Sequence, residues 1–206
     1  MKRPIKLSEE LAQLRTRAGE RAVTLREVIY VLGGRAYLLL VLLLALPFIA
    51  PISIPGLSTP FGLAIALIAL RLALGQRPLL SKKLRRKTLP AGFITKLFSV
   101  AGKVLTFLEK FLRPRWTVLT DTRLLQQLHA GLMLLAALTL LLPIPIPLTN
   151  TFPAWAILLL AAGLLERDGV FILGGYVVFV AGVLYFVFLG EAAEHLVQAF
   201  LHWLKT

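Results

Sequence analysis

The stretch "LPIPIPLTNTFP", residues 142–153, places four prolines and one asparagine between two strongly apolar segments. Proline removes a backbone donor and breaks a helix, so at membrane depth it is tolerated only where the freed carbonyls are buried in protein or face water. The stretch therefore predicts either a broken helix inside a membrane or a wet turn between two helices. The depth at which it lies depends on the rest of the chain.

The composition is that of an integral membrane protein. Of 206 residues, 58% are hydrophobic and 16% are charged, whereas soluble domains carry about 25% charged residues. Asp, Glu, Lys and Arg are absent from residues 36–70, 124–165 and 169–190. A spanning helix needs about 20 apolar residues, so these stretches can hold two, two and one crossings. The sequence predicts an all-α membrane protein with at most five membrane segments.

The first apolar stretch contains a second Pro-rich break, "PFIAPISIPGLSTP", residues 47–60. Both breaks follow an apolar run, end in polar residues and a proline, and lead into a second apolar run with a charged exit. We therefore predict two Pro-broken helical hairpins that form an internal repeat, residues 36–76 and 124–168. A fifth membrane segment is expected at 169–190.

Basic residues flank the first hairpin on both sides. Residues 1–35 contain eight Lys or Arg and four Asp or Glu, with helix starts expected near Ser8 and Thr24. From Arg71 to Arg123 there are thirteen Lys or Arg and two acidic residues. The positive-inside rule places both regions in the cytoplasm, so the N-terminus is predicted to be cytoplasmic. Because the first apolar run begins only after Arg35, we expect no cleaved signal peptide.

The basic region 77–123 includes "AGFITKLFSVAGKVLTFLEKFL", residues 91–112. Its apolar residues share one helical face and its lysines recur every seven residues on another, which is typical of an amphipathic helix lying in the membrane interface. A helix packed on the rest of the protein is the alternative. The tail 191–206 is predicted to be a second interfacial segment, with Trp203 as its anchor.

Lipid is the partner that the charge distribution favours. The net charge of +13 lies between membrane segments, where topology and anionic lipids account for it, so no nucleic-acid partner is expected. Gly175, Gly182 and Gly190 lie roughly on one face of 170–190. That face would allow close helix packing or a homodimer.

Polar residues precede a proline in both breaks: Ser58 and Thr59 in the first, Asn150 and Thr151 in the second. We expect their side chains to cap the half-helices that follow. Paired, Pro-interrupted segments in corresponding halves indicate a transporter-like site at a repeat interface, so these four residues are candidates for a substrate or ion path. The alternative is that both breaks are periplasmic turns without chemistry.

Charged residues close the second helix of each half. Arg71 is the single charge within 60–76, and Glu166 and Asp168 follow the matching run. Arg71 either snorkels to the interface or binds an ion or head group. Asp168 either begins a turn or provides a carboxylate that binds a cation or proton, or that clamps Arg71. All three complete the candidate path.

No catalytic constellation is recognisable. The chain has three histidines and no cysteine, and it lacks the common metalloprotease, hydrolase and phosphate-loop motifs. Glu191 and His195 are spaced to share a metal, but an interfacial helix end explains them better, and His129 is also expected at the interface. We predict no catalytic residue, no cofactor and no metal, and we favour a protein that is not an enzyme.

The segments "LSEEL", "VTLREVI", "LALPFIAPISIPGLSTPFG", "RRKTLP" and "LLPIPIPLTNTFPAWAILLLAAGLLERDG" together resemble the ExoD family of bacterial membrane proteins associated with exopolysaccharide synthesis. The resemblance covers about residues 7–190. Its most specific parts are the block at 51–59, the stretch holding Asn150, and the exit at 166–169. It implies a multi-pass protein of the bacterial inner (plasma) membrane, with exopolysaccharide synthesis proteins as partners, and it supplies no reaction.

Three functions remain open from the sequence. The first is a transporter or ion-coupled permease with its site between the Pro-rich breaks. The second is a non-catalytic scaffold of a polysaccharide machine. The third, which the missing catalytic groups disfavour, is an enzyme acting on a lipid-linked sugar.

Overall fold

The computed structural model describes residues 35–50, 56–76, 102–103, 106, 110–142 and 146–205, and of 193 and 196–205 the backbone alone. The N-terminal helices predicted within 1–34 lie outside these residues. So does most of the amphipathic helix predicted at 91–112, and both remain predictions.

The described residues form helices and connecting turns, which confirms the all-α prediction. The elements are α1 (Arg35–Ala45), a short 3₁₀ turn (Leu46–Phe48), α2 (Ser58–Ala73), α3 (Val118–Asp121), α4 (Arg123–Leu140), α5 (Thr151–Glu166) and α6 (Gly169–Lys205). Extended pairing among them is limited to one isolated bridge between Arg115 and Asp168.

The prolines lie where a helix can accept them. Pro60 and Pro153 are each the third residue of their helix, within the first turn, whose amides have no intrahelical acceptor. Pro47 lies in the short 3₁₀ turn after α1. None of these three prolines therefore lies in the interior of a long helix.

Among the residues that the structure describes, two helices are long and apolar enough to cross a membrane: α4, and α6 over Gly169–Ala192. Three further apolar helices are shorter: Arg35–Phe48, α2 and α5. At 1.5 Å per residue, the 16-residue helices α2 and α5 are about 24 Å long, less than the roughly 30 Å of a hydrocarbon core. Large apolar side chains such as Val177, Leu184 and Phe188 are exposed on α6, as expected for a surface that contacts lipid.

Helix α5 is the centre of the bundle and packs against α1, α4 and α6. Ala156, Ile157, Leu160 and Ala161 on α5 are completely buried. The other extensive contact joins α2 to α4. There, a Cβ on Gly62 would lie 3.0 Å from Cβ of Leu140, so the absence of a side chain sets the separation of the two helices.

Two glycines of α6 face α5 in the same chain. A Cβ on Gly175 would lie 2.7 Å from Cγ of Leu160, and one on Gly182 would lie 3.0 Å from Cβ of Phe152, whereas Gly190 has nothing within 4 Å. The predicted use of this glycine face in close helix packing is thus observed at Gly175 and Gly182. Helix α6 also continues through residue 190, where a boundary was predicted, without interruption.

Candidate functional site

The described residues of the two Pro-rich breaks meet at one contact. The hydroxyl of Thr151, the first residue of α5, donates a hydrogen bond of 3.3 Å to the carbonyl oxygen of Ala50, just after the 3₁₀ turn. Beside this contact the rings of Phe48 and Phe61 meet edge to face with centroids 5.7 Å apart. Ser58, the first residue of α2, is 3% exposed. Segments a hundred residues apart in the sequence thus form one junction.

The predicted side-chain caps at this junction are wrong. The N-cap of α2 is Leu57 and that of α5 is Asn150, and neither side chain accepts a capping hydrogen bond. The backbone of Asn150 is helical, with φ −88° and ψ −25°, whereas a capping side chain requires an extended backbone. The carbonyl oxygen of Leu148 accepts from the amides of Thr151 and Phe152 in its place.

Asn150 is left with an unusual environment. It is 7% exposed, and its Oδ1 atom accepts no hydrogen bond from the described residues. An unsatisfied buried acceptor costs about 1–3 kcal/mol, so its presence calls for an explanation other than stability. Leu148, two residues earlier, is held at φ 68°, a conformation that bulky residues rarely adopt.

Helix α6 supports the second break from the side. The hydroxyl of Tyr185 donates 2.8 Å to the carbonyl oxygen of Pro147. The Tyr185 ring also packs on Phe152, with centroids 5.3 Å apart. The carbonyl freed by the proline-rich turn therefore has a donor, as broken backbone in a membrane requires.

Asp168 lies at the other end of α5 and is 1% exposed. One carboxylate oxygen accepts 3.0 Å from the amide of Val170, and the other accepts 3.0 Å from the amide of Arg113. The adjacent amide of Gly169 donates 2.7 Å to the carbonyl oxygen of Arg115. Asp168 thus links the segment before α3 to the start of α6 through hydrogen bonds. The sequence predicted only a local turn or a charge at this position.

The proposed clamp between Asp168 and Arg71 is not formed. Arg71 lies in the last turn of α2 with its Nη1 atom 3.5 Å from Oε1 of Gln76. Arg167 forms an exposed ion pair of 3.4 Å with Asp121. Asp168 instead accepts from two backbone amides.

The candidate residues fall into two groups at opposite ends of the helices. Ser58, Thr59, Asn150 and Thr151 lie at the starts of α2 and α5, whereas Arg71, Glu166 and Asp168 lie at their ends. Thr59 is exposed and Glu166 is half-buried. The structure therefore does not bring the seven residues into one site.

His129 was expected at the interface, and this prediction is wrong. The ring is 1% exposed, between α3 and α6. Its Nε2 atom lies 2.8 Å from the carbonyl oxygen of Leu119 and its Nδ1 atom 2.9 Å from the hydroxyl of Tyr176. Since a carbonyl can only accept, Nε2 carries a proton, and in the neutral ring Nδ1 accepts from the hydroxyl.

The spacing of residues along α4 contained the signal for this burial. His129 shares a helical face with Met133, Ala136 and Leu140, all of which are buried. Such a face predicts a core position. No three His, Asp or Glu side chains gather into a metal-binding group in the part of the chain that the structure describes.

Known proteins resemble this chain over nearly its whole length. The family described as "Exopolysaccharide synthesis, ExoD" matches residues 7–188. "Protein ExoD" of Rhizobium meliloti is 36% identical over 198 residues, which is 96% of this chain and 82% of that protein. An uncharacterized protein of Synechocystis sp. is 30% identical over 194 residues, covering 89% of this chain and 88% of that protein.

No solved structure matches the chain. The family match and the relative from Rhizobium meliloti agree with the resemblance seen in the Pro-rich blocks and the charged exit. The chain belongs to the ExoD family of exopolysaccharide-synthesis proteins.

Proposed function

We propose that this protein is a transporter-like component of exopolysaccharide synthesis in the bacterial inner membrane, with its site at the junction of the two Pro-rich breaks. The observation that carries the proposal is the contact of Thr151 with Ala50 beside the buried, unpaired Oδ1 of Asn150. Broken helices that meet inside a bundle expose backbone and side-chain polar groups to a substrate at membrane depth.

The packing supports two related halves. In a repeat, α1 corresponds to α4 and α2 to α5. The packing of α1 on α5 then corresponds to the packing of α4 on α2, and both contacts are extensive. The second helix of each half also ends at a left-handed residue, Gly75 with φ 66° and Arg167 with φ 57°. These correspondences favour the internal repeat of Pro-broken hairpins.

The same arrangement supports a multi-pass topology with a cytoplasmic N-terminus. Helices α1 and α4 begin next to basic segments, and such segments stay in the cytoplasm. The breaks then lie toward the opposite face, and α6 crosses once more. The bilayer, with its anionic lipids, and exopolysaccharide synthesis proteins are the partners of this proposal.

Replacing Asn150 by leucine separates a functional role from a structural one. Because Oδ1 accepts no hydrogen bond from the described residues, Asn150→Leu removes an unsatisfied buried acceptor, and the melting temperature should stay unchanged or rise. We expect the variant to lose exopolysaccharide output in a strain that lacks the native protein. Both quantities are measured on the same expressed variant.

Thr139→Val is the matched control, since Thr139 is a polar residue of α4 whose hydroxyl donates to Ala136 of its own helix. It should be silent in both measurements. Full polysaccharide output from Asn150→Leu would reject the site at the breaks and leave the scaffold role as the better account.

A further inference from the structure

A cavity lies at the end of the bundle away from the breaks. Its volume is about 390 Å³, within the range of roughly 300–1,000 Å³ for small-molecule sites. Its walls come from the starts of α1 and α4 and from the ends of α2 and α5. The candidate path described above includes none of its lining residues.

The polar groups of this cavity favour an anion. Two arginines, Arg35 and Arg123, line it together with three glutamines, and the lining residues that the structure describes include no Asp or Glu. Arg35 is the first residue of α1 and Arg123 the first residue of α4, so they hold equivalent places in the two proposed halves. The hydrogen bonds and the ion pair found among the described residues use neither guanidinium group.

The carbonyl oxygens at the C-terminal end of α2 accept hydrogen bonds, so they do not strongly repel a negative ligand. The amide of Gly75 donates 2.9 Å to Leu72, and the amide of Gln76 donates 2.9 Å to Arg71, which closes the helix with satisfied acceptors. Gly75 also makes room for a neighbour, because a Cβ there would collide with Nε2 of Gln127. The carboxamide of Gln127 can therefore lie close to the backbone in the cavity wall.

We infer that this cavity binds a phosphate group, held by the guanidinium groups of Arg35 and Arg123, with the carboxamides of Gln76 and Gln127 as neutral donors. Guanidinium matches phosphate oxygens in paired hydrogen bonds, and two such groups suit a doubly charged anion. The phosphate belongs either to a lipid head group or to a soluble ligand. The inference does not depend on transport at the breaks, because binding is measured directly.

The test uses the full-length protein in nanodiscs of phosphatidylcholine, titrated with inorganic pyrophosphate in a calorimeter. Native mass spectrometry measures retained phosphatidic acid in a parallel preparation. We expect the native protein to bind at least one of the two probes. Arg35→Gln with Arg123→Gln should weaken that binding at least about tenfold, since both charged donor groups are lost.

Arg167→Gln is the control, because Arg167 is an exposed arginine at the end of α5 that does not line the cavity; it should bind as the native protein does. Arg35→Lys with Arg123→Lys keeps both positive charges but loses the paired hydrogen bonds that a guanidinium group makes to phosphate. Its affinity should fall between those of the native protein and the glutamine double variant. Melting temperatures confirm that each variant is folded.

Binding of pyrophosphate that phosphatidic acid displaces would assign the phosphate to a lipid, and binding without displacement would assign it to a soluble ligand; both support the site. The inference is overturned if the native protein binds neither probe. It is equally overturned if Arg167→Gln loses as much affinity as the double variant.

Discussion

Asp168→Ala is expected to lower the stability of the protein strongly. It removes the acceptors of the Val170 and Arg113 amides in a site where Asp168 is 1% exposed. Each unsatisfied amide costs about 1–3 kcal/mol, so the loss of both acceptors should cost roughly 2–6 kcal/mol. The melting temperature of the purified protein, followed by tryptophan fluorescence, measures it.

Asp168→Asn refines this prediction. Asparagine retains one acceptor oxygen but turns an amino group toward the other backbone amide, so its cost should fall between those of the native residue and alanine. The neighbouring change Arg167→Gln breaks only an exposed ion pair and should be nearly neutral. Equal stability of Asp168→Ala and Arg167→Gln would contradict the structural role assigned to the carboxylate.

Gly62→Leu should separate α2 from α4. A Cβ at Gly62 would already lie 3.0 Å from Cβ of Leu140 and 3.3 Å from the carbonyl oxygen of Ala137, and a whole leucine has no space there. Overpacking of this kind costs about 1–3 kcal/mol and forces the backbones apart. We expect lower yield, a lower melting temperature and reduced exopolysaccharide output.

The matched control is Gly131→Leu on α4, where an added Cβ meets nothing within 4 Å. Leucine also favours a helix over glycine by somewhat less than about 1 kcal/mol, so this variant should be as stable as the native protein or slightly more so. If both leucines are tolerated alike, the close approach of α2 and α4 is not as described.

Much of the architecture could be predicted from the sequence because membrane helices leave a strong compositional signal. The charge-free stretches contain the five apolar helices found among the described residues, two of them long enough to cross a membrane. The lengths of these helices were harder to predict, since the stretches around the breaks fit either helices that cross the whole membrane or shorter ones. The structure describes α2 and α5 as the shorter kind.

The site was predicted less well because its chemistry depends on contacts distant in sequence. The order of residues placed Asn150 at the start of a helix, but its helical backbone, which prevents capping, follows from the turn around Leu148. Asp168 was read as a local turn residue or a charge, whereas its partner Arg113 is 55 residues away. In the sequence, single arginines at helix starts, such as Arg35 and Arg123, are indistinguishable from ordinary interfacial charges.

The central claim, that the two Pro-rich breaks meet, is tested most directly by cross-linking. The native chain has no cysteine, so Ala50→Cys with Thr151→Cys places a single pair of thiols where the Thr151 hydroxyl lies 3.3 Å from the Ala50 carbonyl oxygen. In native membranes treated with a membrane-permeant oxidant, we predict that the two cysteines form a disulfide within one chain. Both thiols then resist alkylation until a reductant is added. Ala50→Cys with Val177→Cys, whose second residue is exposed on α6, should remain open to alkylation. If the first pair also stays open while each single cysteine reacts with a permeant maleimide, the breaks do not meet and the proposed site does not exist.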